Sequence, residues 1–343
     1  MKKTILQAAL FAYINTICFR NFRPSCTKIS QQYNRNIVID SKCSYISHDK
    51  LQRLLQIERK WNLFLIQKYG HLIKKNSSLK NDKQKGIKTF VIIDDTVIAK
   101  PFSKELDILS WLYSSGDAKY LYGLNIVFVI WTDGNTRFPI GFRLWKKDDK
   151  KSRLDLAMEL LKEAKKIHKI KPDYVLMDSF YAAAKLLRLI RKLKWQWITK
   201  LKPNRLIDKI QVRDAFTYRY GNIDGKLTEG IKALIVKDNK NFWASSELSL
   251  TSIDVKELYR KRQIIEEFFK ILKSELRIEG CASRSETAQI NHIFLVLIGF
   301  CQLEDFRIKK NMSTIYKLRM IFIECIIPKN FNWAINLPKS NFA

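Results

Sequence analysis

The chain has 343 residues, of which 46% are hydrophobic, enough to bury one large core or a main domain with a smaller one. It carries 63 Lys and Arg against 33 Asp and Glu, a formal net charge of +30. Such a charge repels itself unless a polyanion is near, so nucleic acid is the first partner to expect, although ribosomal and membrane-surface proteins share this composition. The absence of a G-x-x-x-x-G-K-[ST] loop and of a serine-histidine-acid elbow argues against ATP hydrolysis and serine hydrolase chemistry.

The N-terminal segment MKKTILQAALFAYINTICF resembles a signal peptide, but Gln7 and Asn15 interrupt its apolar run and no small-residue cleavage site follows. We therefore predict a helix of the folded protein. The apolar run at 292–301 is too short to span a bilayer. The cysteines form no zinc spacing and indicate buried, reduced thiols in a cytoplasmic protein; they are Cys18, Cys26, Cys43, Cys281, Cys301 and Cys325.

Helical spacing of apolar residues predicts an N-terminal helical domain over residues 1–73, followed by a polar linker over 74–86. From residue 88 the pattern changes to strand TFVIIDD, then to two strands joined at the hairpin signal DGN. A helix over about 152–168, strand DYVLMD, helix AAAKLLRLIRKL and strand WQWITKLK follow. The order β, β, β, α, β, α, β predicts a mixed sheet with helices on its faces.

The remaining boundaries divide this α/β catalytic core into two segments. The first core segment covers 87–202, and short strands punctuated by glycine predict a β-rich insertion over 203–250. The second core segment covers 251–310 with two helices, and 311–343 forms a C-terminal segment.

Three acids stand where they can meet. Asp94 and Asp178 each follow an apolar strand, and the reactive edge of an open α/β sheet lies beyond the carboxyl ends of its parallel strands. Glu266, on a helix over that edge, would be the third. Three oxygen donors suit two Mg²⁺ or Mn²⁺ ions, which activate a hydroxyl and stabilise the leaving oxygen of a phosphodiester.

Alternatives remain at each position. Asp95 competes with Asp94, and Asp178 could merely cap the helix that follows it. Glu267 lies roughly 100° away from Glu266 around a helix, so we prefer Glu266.

A further pattern frames the glutamate. Tyr259, Arg262, Glu266 and Lys273 are separated by 3, 4 and 7 residues, which places them within an arc of roughly 60° on a regular helix. Such a stripe suits an acid that binds metal beside a negatively charged backbone, although a solvated helix face would show similar charge pairs.

The segments IIDDT, DGNTRFPIGFRLW, VLMDSFYAAAKLL and WITKLKPNR, together with the Y-R-E-K spacing, resemble bacterial insertion-sequence transposases of the DDE type. This resemblance implies a ribonuclease-H-like core interrupted by a β-rich insertion. It implies that Asp94, Asp178 and Glu266 are the catalytic metal ligands and that Tyr259, Arg262 and Lys273 hold phosphates of the transposon end.

The resemblance also implies partners. The N-terminal domain would bind the terminal inverted repeats, and two copies would act on paired DNA ends without a nucleotide cofactor. Trp243 is the candidate for stacking on a flipped base, with core packing as the alternative reading. Backbone contacts are expected from basic residues, each of which could equally serve solubility: Lys200, Lys202, Arg205 and Lys261.

The chemistry implied is cut-and-paste transposition, in which water frees a 3′-hydroxyl and that hydroxyl then attacks target DNA. Two other readings stay open: a catalytically silent transposon-derived DNA-binding protein, and a metal-dependent nuclease without strand transfer.

Overall fold

A computed structural model of the chain describes residues 3–19, 25–37, 45–73, 87–101, 103, 106–114, 118–147 and 149–321. The predicted linker and the end of the C-terminal segment lie outside these ranges, as do Cys43 and Cys325. The chain forms two compact units. The first takes the described parts of Met1–Tyr69, Ile98–Leu109 and Phe268–Ala343, and the second takes those of Gly70–Val97 and Ser110–Glu267.

The second unit is built on a mixed β-sheet. Its strands are β1 (Phe90–Ala99), β2 (Ser110–Ser114), β3 (Lys119–Thr132), β4 (Arg137–Trp145), β5 (Tyr174–Met177), β6 (Gln196–Leu201), β7 (Leu206–Ile207), β8 (Ile210–Gln211), β9 (Tyr220–Leu227), β10 (Ile231–Asp238) and β11 (Asn241–Ser245). Their order is β2-β3-β1-β5-β6-β11-β10-β9-β7-β8, with β4 paired to β3. β1, β5 and β6 are parallel. The side chains of Tyr174–Met177 are all buried, as expected of a parallel strand covered on both faces.

The hairpin signal in the sequence is confirmed between β3 and β4, which pair antiparallel. Asp133 Oδ1 accepts hydrogen bonds from the backbone N–H groups of Asn135 and Thr136 at 2.9 and 2.6 Å. Gly134 has φ +93°, a conformation that glycine adopts without steric cost. The local sequence therefore closes this turn by itself.

Helices cover the sheet. Helix α5 (Arg153–Lys166) begins at a capping box formed by Ser152 and Asp155 and packs on β3 and β4. Helix α6 (Ala184–Lys192) packs beside β6, and α7 (Ser252–Arg260) lies against β6, β10 and β11. Helix α8 (Gln263–Lys270) follows α7 directly.

The first unit is helical. Its helices are α1 (Lys3–Phe19), α2 (Cys26–Ile37), α3 (His48–Gln56), α4 (Trp61–Tyr69), α9 (Glu286–Lys309) and α10 (Ile315–Ile321). Helix α9 is buried on nearly all sides, because α1, α3, α4 and α10 pack around it. The buried Asn291 amide donates to the carbonyls of Leu55 and Ile57 at 2.6 and 3.0 Å, and it accepts from Trp61 Nε1. The N-terminal helices thus share one core with the C-terminal ones.

The architecture departs from the predicted one in one strand of the core. Strand β2 was not predicted, so the core has one strand more than expected before α5. Its sequence SWLYS has only three consecutive apolar residues, and its first four residues alternate between half-buried and exposed. Strands β7–β11, in the predicted insertion, continue the central sheet through the pairing of β11 with β6.

The described cysteines Cys18, Cys26, Cys281 and Cys301 are free thiols. No helix in the described part of the chain is both long and apolar enough to cross a bilayer.

Candidate active site

Asp94 and Asp178 lie side by side where two parallel strands stop pairing. The last paired residues of β1 and β5 are Ile93 and Met177, and the two aspartates follow them directly. Both carboxylates therefore leave the sheet at one level. The sequence predicts that strand β1 ends at Asp94. This prediction is wrong, because the strand continues to Ala99.

Arg262 links Asp94 to the third predicted acid. Its Nη1 donates to Asp94 Oδ2 at 2.6 Å, and its Nη2 donates to Glu266 Oε1. The side chains of Arg262 and Asp94 are each 18% exposed, whereas Glu266 is 55% exposed. The ion pair with Asp94 is thus shielded from water, and the one with Glu266 is open to it.

Burial is the main influence on the charge of the two aspartates. Burial raises the pKa of Asp94 to about 7; the Arg262 guanidinium opposes this shift, and the neighbouring Asp178 carboxylate adds to it. Burial also raises the pKa of Asp178, although backbone N–H groups and Arg262 oppose that rise. Burial lowers the pKa of Arg262, but the Asp94 charge and other negative groups outweigh it, so the pKa is raised. The pair of aspartates would gain from an added cation.

The rival acids have other partners. Asp95 accepts hydrogen bonds from Asn125 Nδ2, Arg153 Nη1 and the Tyr181 hydroxyl at 2.8, 2.8 and 2.9 Å. Each of its oxygens is therefore engaged in the fold. Glu267 forms an ion pair with the nearly buried Arg137 at 3.3 Å.

Asp178 also has a local structural role. Its Oδ1 accepts from the backbone N–H groups of Phe180 and Tyr181 at 3.0 and 3.2 Å, which closes a turn. It does not cap α6, whose N-cap residue is Ala183. The second carboxylate oxygen, Oδ2, accepts neither of these two bonds.

The donor set partly fits a divalent metal ion. Asp94 and Asp178 offer adjacent carboxylate oxygens, the ligands that Mg²⁺ and Mn²⁺ prefer. Within the ranges that the structure describes, however, no three acidic, histidine or cysteine side chains are grouped to hold a metal. The Glu266 carboxylate faces Arg262 instead, so Glu266 is linked to Asp94 through a guanidinium and the three acids do not form a closed ligand set.

The sequence predicts that the Y-R-E-K residues share one regular helix, but the structure places them on different elements. Helix α7 ends at Arg260, and Lys261 and Arg262 form a turn before α8. Tyr259 and Arg262 still interact through their side chains. Lys273 lies in a π-helical turn (Ile271–Glu275) of the first unit.

Trp243 is packed within the second unit. It lies on β11 opposite Lys200, and its ring meets Tyr259 edge to face with centroids 6.4 Å apart. Its half-buried indole carries an Nε1–H that has no hydrogen-bond partner among the described residues. The packing reading of Trp243 accounts for this position; base stacking stays a prediction.

Two of the predicted DNA contacts meet in one cavity. Lys202 and Arg205 line a space of about 410 Å³ together with Ser179 and Phe180, which directly follow Asp178. Lys200 is half-buried on β6. The Lys261 ammonium lies near the hairpin turn, 3.7 Å from where a side chain on Gly134 would begin.

The residues that bond Asp95 were not predicted from the sequence. Arg153 opens α5, where its guanidinium lies over the Phe180 ring at 4.1 Å from the centroid. No periodic pattern identifies it. Asn125 did carry a signal, because a buried amide interrupts the apolar strand LNIVFVIW.

Comparison with known proteins supplies the family. The family described as "Transposase DDE domain" matches residues 85–300. No curated protein matches. The structure of the piggyBac transposase synaptic complex with hairpin DNA is similar with a TM-score of 0.52 and 11% identity, covering 98% of this chain and 74% of that chain.

Two other solved structures are more distant. The NurA nuclease from Sulfolobus solfataricus has a TM-score of 0.25 and 14% identity over 63% of this chain and 98% of that chain. The Mos1 strand transfer complex has a TM-score of 0.21 and 12% identity over 51% of this chain and 53% of that chain. The mixed sheet and the piggyBac likeness confirm the predicted ribonuclease-H-like fold. Because the family match spans more than half of its residues, the chain belongs to the transposase DDE domain family and is a DDE-type transposase.

Proposed function

We propose that this transposase cleaves DNA at the ends of a bacterial insertion sequence and joins the freed 3′-hydroxyl to target DNA by two-metal-ion phosphoryl transfer. One observation carries the proposal: Asp94 and Asp178 follow the last paired residues of adjacent parallel strands, with Glu266 linked to Asp94 through Arg262. The reaction is a pair of displacements, each of which forms one P–O bond and breaks another.

Asp94, Asp178 and Glu266 would hold the Mg²⁺ or Mn²⁺ ions. When bound, such ions activate the attacking hydroxyl and stabilise the leaving oxygen. Glu266 would have to exchange Arg262 for an ion, and its exposure gives it room to rotate. The raised pKa of Asp94 supports this assignment, because burial and a neighbouring carboxylate leave negative charge that a cation would relieve.

The cationic side chains of the second unit would bind DNA. With Asp94 and Glu266 as metal ligands, the Arg262 guanidinium would be free to donate to a phosphate, which it matches in a bidentate fashion. Tyr259, which interacts with Arg262, would place its hydroxyl on the same backbone. Lys202 and Arg205 would contact the strand that continues past Asp178.

We further propose that the DNA partners are terminal inverted repeats and a target, that two copies act on paired ends, and that the reaction takes place at the nucleoid. The net charge of +30 supports a polyanionic partner.

The proposal is tested with pre-nicked DNA ends and a target plasmid in Mg²⁺. The wild-type protein should yield joined product. Asp94→Ala should bind the ends as tightly as the wild type and yield none. Nicking of the target plasmid without joined product would favour a metal-dependent nuclease. Binding and cellular effects that are indifferent to alanine at all three acids would favour a silent DNA-binding protein.

A further inference from the structure

The first unit contains a second basic cavity, of about 480 Å³. Lys273, Arg277 and Arg284 line it, together with Ser103 and a single acid, Glu279. The volume is many times that of a water molecule, about 30 Å³. The cavity can therefore take a group larger than a simple ion.

Four basic residues line this cavity, and one of them, Lys100, is engaged with backbone carbonyls. In the described part of the chain, Lys273, Arg277 and Arg284 form no ion pair, while elsewhere basic residues such as Lys256 and Lys185 do. Like charges around one space repel one another unless an anion lies between them. The cavity is therefore complementary to an anion.

Buried side chains fix the backbone that presents Arg277. Arg277 has φ +54°, a left-handed conformation that is unfavourable for a residue with a side chain. His292 Nε2 lies 3.2 Å from the Arg277 carbonyl, and His292 Nδ1 lies 2.9 Å from the Tyr13 hydroxyl. Because a carbonyl only accepts, Nε2 donates to it and Nδ1 accepts from the tyrosine.

A buried lysine holds the rest of this loop. Lys100 Nζ donates to the carbonyls of Glu279 and Cys281, both at 2.9 Å. Three carbonyls within five residues, 277–281, are thus fixed by side chains from the interior. Such pre-organisation is typical of a binding site, because the loop need not be ordered when the ligand arrives.

We infer that the cavity lined by Lys273, Arg277 and Arg284 binds one phosphodiester group of the DNA backbone. This inference rests on the proposed function for its partner, since DNA is the polyanion on which a transposase acts. Arginine pairs suit the oxygens of a phosphate, and a phosphate carries no sequence information. The contact is therefore expected to be independent of DNA sequence.

The test measures binding of a fluorescent DNA duplex of fixed sequence, in EDTA, over a range of salt concentrations. Arg277→Gly removes the side chain and suits the left-handed backbone, and Arg284→Ala removes the second guanidinium. Lys310→Ala is the matched control, because Lys310 is exposed at the end of α9 and loses the same charge outside the cavity. Thermal unfolding checks that each variant is folded.

Each cavity variant should weaken binding several-fold and reduce the slope of log K against log salt by about one. The double variant should also reduce the slope by about one, since both arginines hold the same phosphate. Lys310→Ala should leave the slope unchanged.

The inference would be overturned if the slopes of the cavity variants equalled that of Lys310→Ala. It would also be overturned if the slope of the double variant fell by about two. A poly-glutamate peptide that binds the wild type but not the variants, with DNA binding unaffected, would also contradict it. Because the assay excludes divalent ions, its outcome is independent of catalysis, which the Asp94→Ala joining assay tests separately.

Discussion

Arg262 donates a 2.6 Å hydrogen bond to Asp94 across 168 residues of sequence, and both side chains are shielded from solvent. The guanidinium thus lies at the carboxylate that is expected to bind metal. It lowers the pKa of Asp94 against the larger effect of burial. In this arrangement Arg262 competes with a divalent cation for the same negative charge.

Replacement of Arg262 by methionine should therefore tighten metal binding. Removing a positive charge within hydrogen-bond distance of Asp94 raises the affinity for Mn²⁺ by about tenfold or more. The same variant should bind DNA more weakly, because it loses a phosphate donor. Titration calorimetry with Mn²⁺ checks the first effect. Unchanged or weaker Mn²⁺ binding would show that Arg262 does not compete with the ion.

Neutralising the two adjacent glutamates should have very different effects on DNA cleavage. Glu266→Gln should lower DNA cleavage by about 10²- to 10³-fold, because an amide is a poor metal ligand. Glu267→Gln should change cleavage by less than about twofold, since Glu267 pairs with Arg137 and not with Arg262 or Asp94. Cleavage rates in Mg²⁺ measure both. Equal losses would show that the side chains cannot be told apart by their contacts.

The two adjacent aspartates should differ in stability. Asp95→Asn should lower the free energy of unfolding by about 2–3 kcal/mol, because an amide cannot accept from Arg153, Asn125 and Tyr181 at once. Asp94→Asn at pH 8 should not destabilise the protein, since burial already disfavours the Asp94 carboxylate. Urea unfolding in EDTA compares them. A larger loss from Asp94→Asn would contradict this ranking.

The raised pKa of Asp94 makes stability depend on pH. The folded chain holds this proton up to about pH 7, while the unfolded chain releases it near the ordinary value of 3.8. The contribution of Asp94 to the free energy of unfolding is thus fully present below the pKa of the unfolded chain, and it is lost as pH rises through about 7. From about pH 5 to about pH 8, the wild type should lose about 3 kcal/mol relative to Asp94→Asn. Urea midpoints of both proteins from about pH 5 to about pH 8 measure the difference in EDTA. Parallel curves would mean that Asp94 titrates normally.

Much of the sheet could be predicted because its signals are local. The apolar runs before Asp94 and Asp178 locate strands β1 and β5, and the glycine turn at Gly134 determines a hairpin, without distant contacts. The end of β1 at Ala99 was not predicted. Their adjacency followed from a general rule about parallel strands. Strand β2 was missed because its half-exposed residues give no buried run.

The contacts of the candidate site could not be read from the sequence. The spacing of Tyr259, Arg262 and Glu266 assumed a continuous helix, whereas the chain turns at Lys261 before α8. That Arg262 faces Asp94 depends on how α7 and α8 pack in the second unit. The carboxylates of Asp94 and Asp95 are chemically identical, and only their tertiary partners distinguish them.

Anomalous diffraction from Mn²⁺-soaked crystals tests the metal assignment most directly. We expect an Mn²⁺ peak at the Asp94 and Asp178 carboxylates, with the hydrogen bond between Asp94 and Arg262 broken. Mn²⁺ peaks confined to other regions of the protein, with the pair of Asp94 and Arg262 intact, would contradict it.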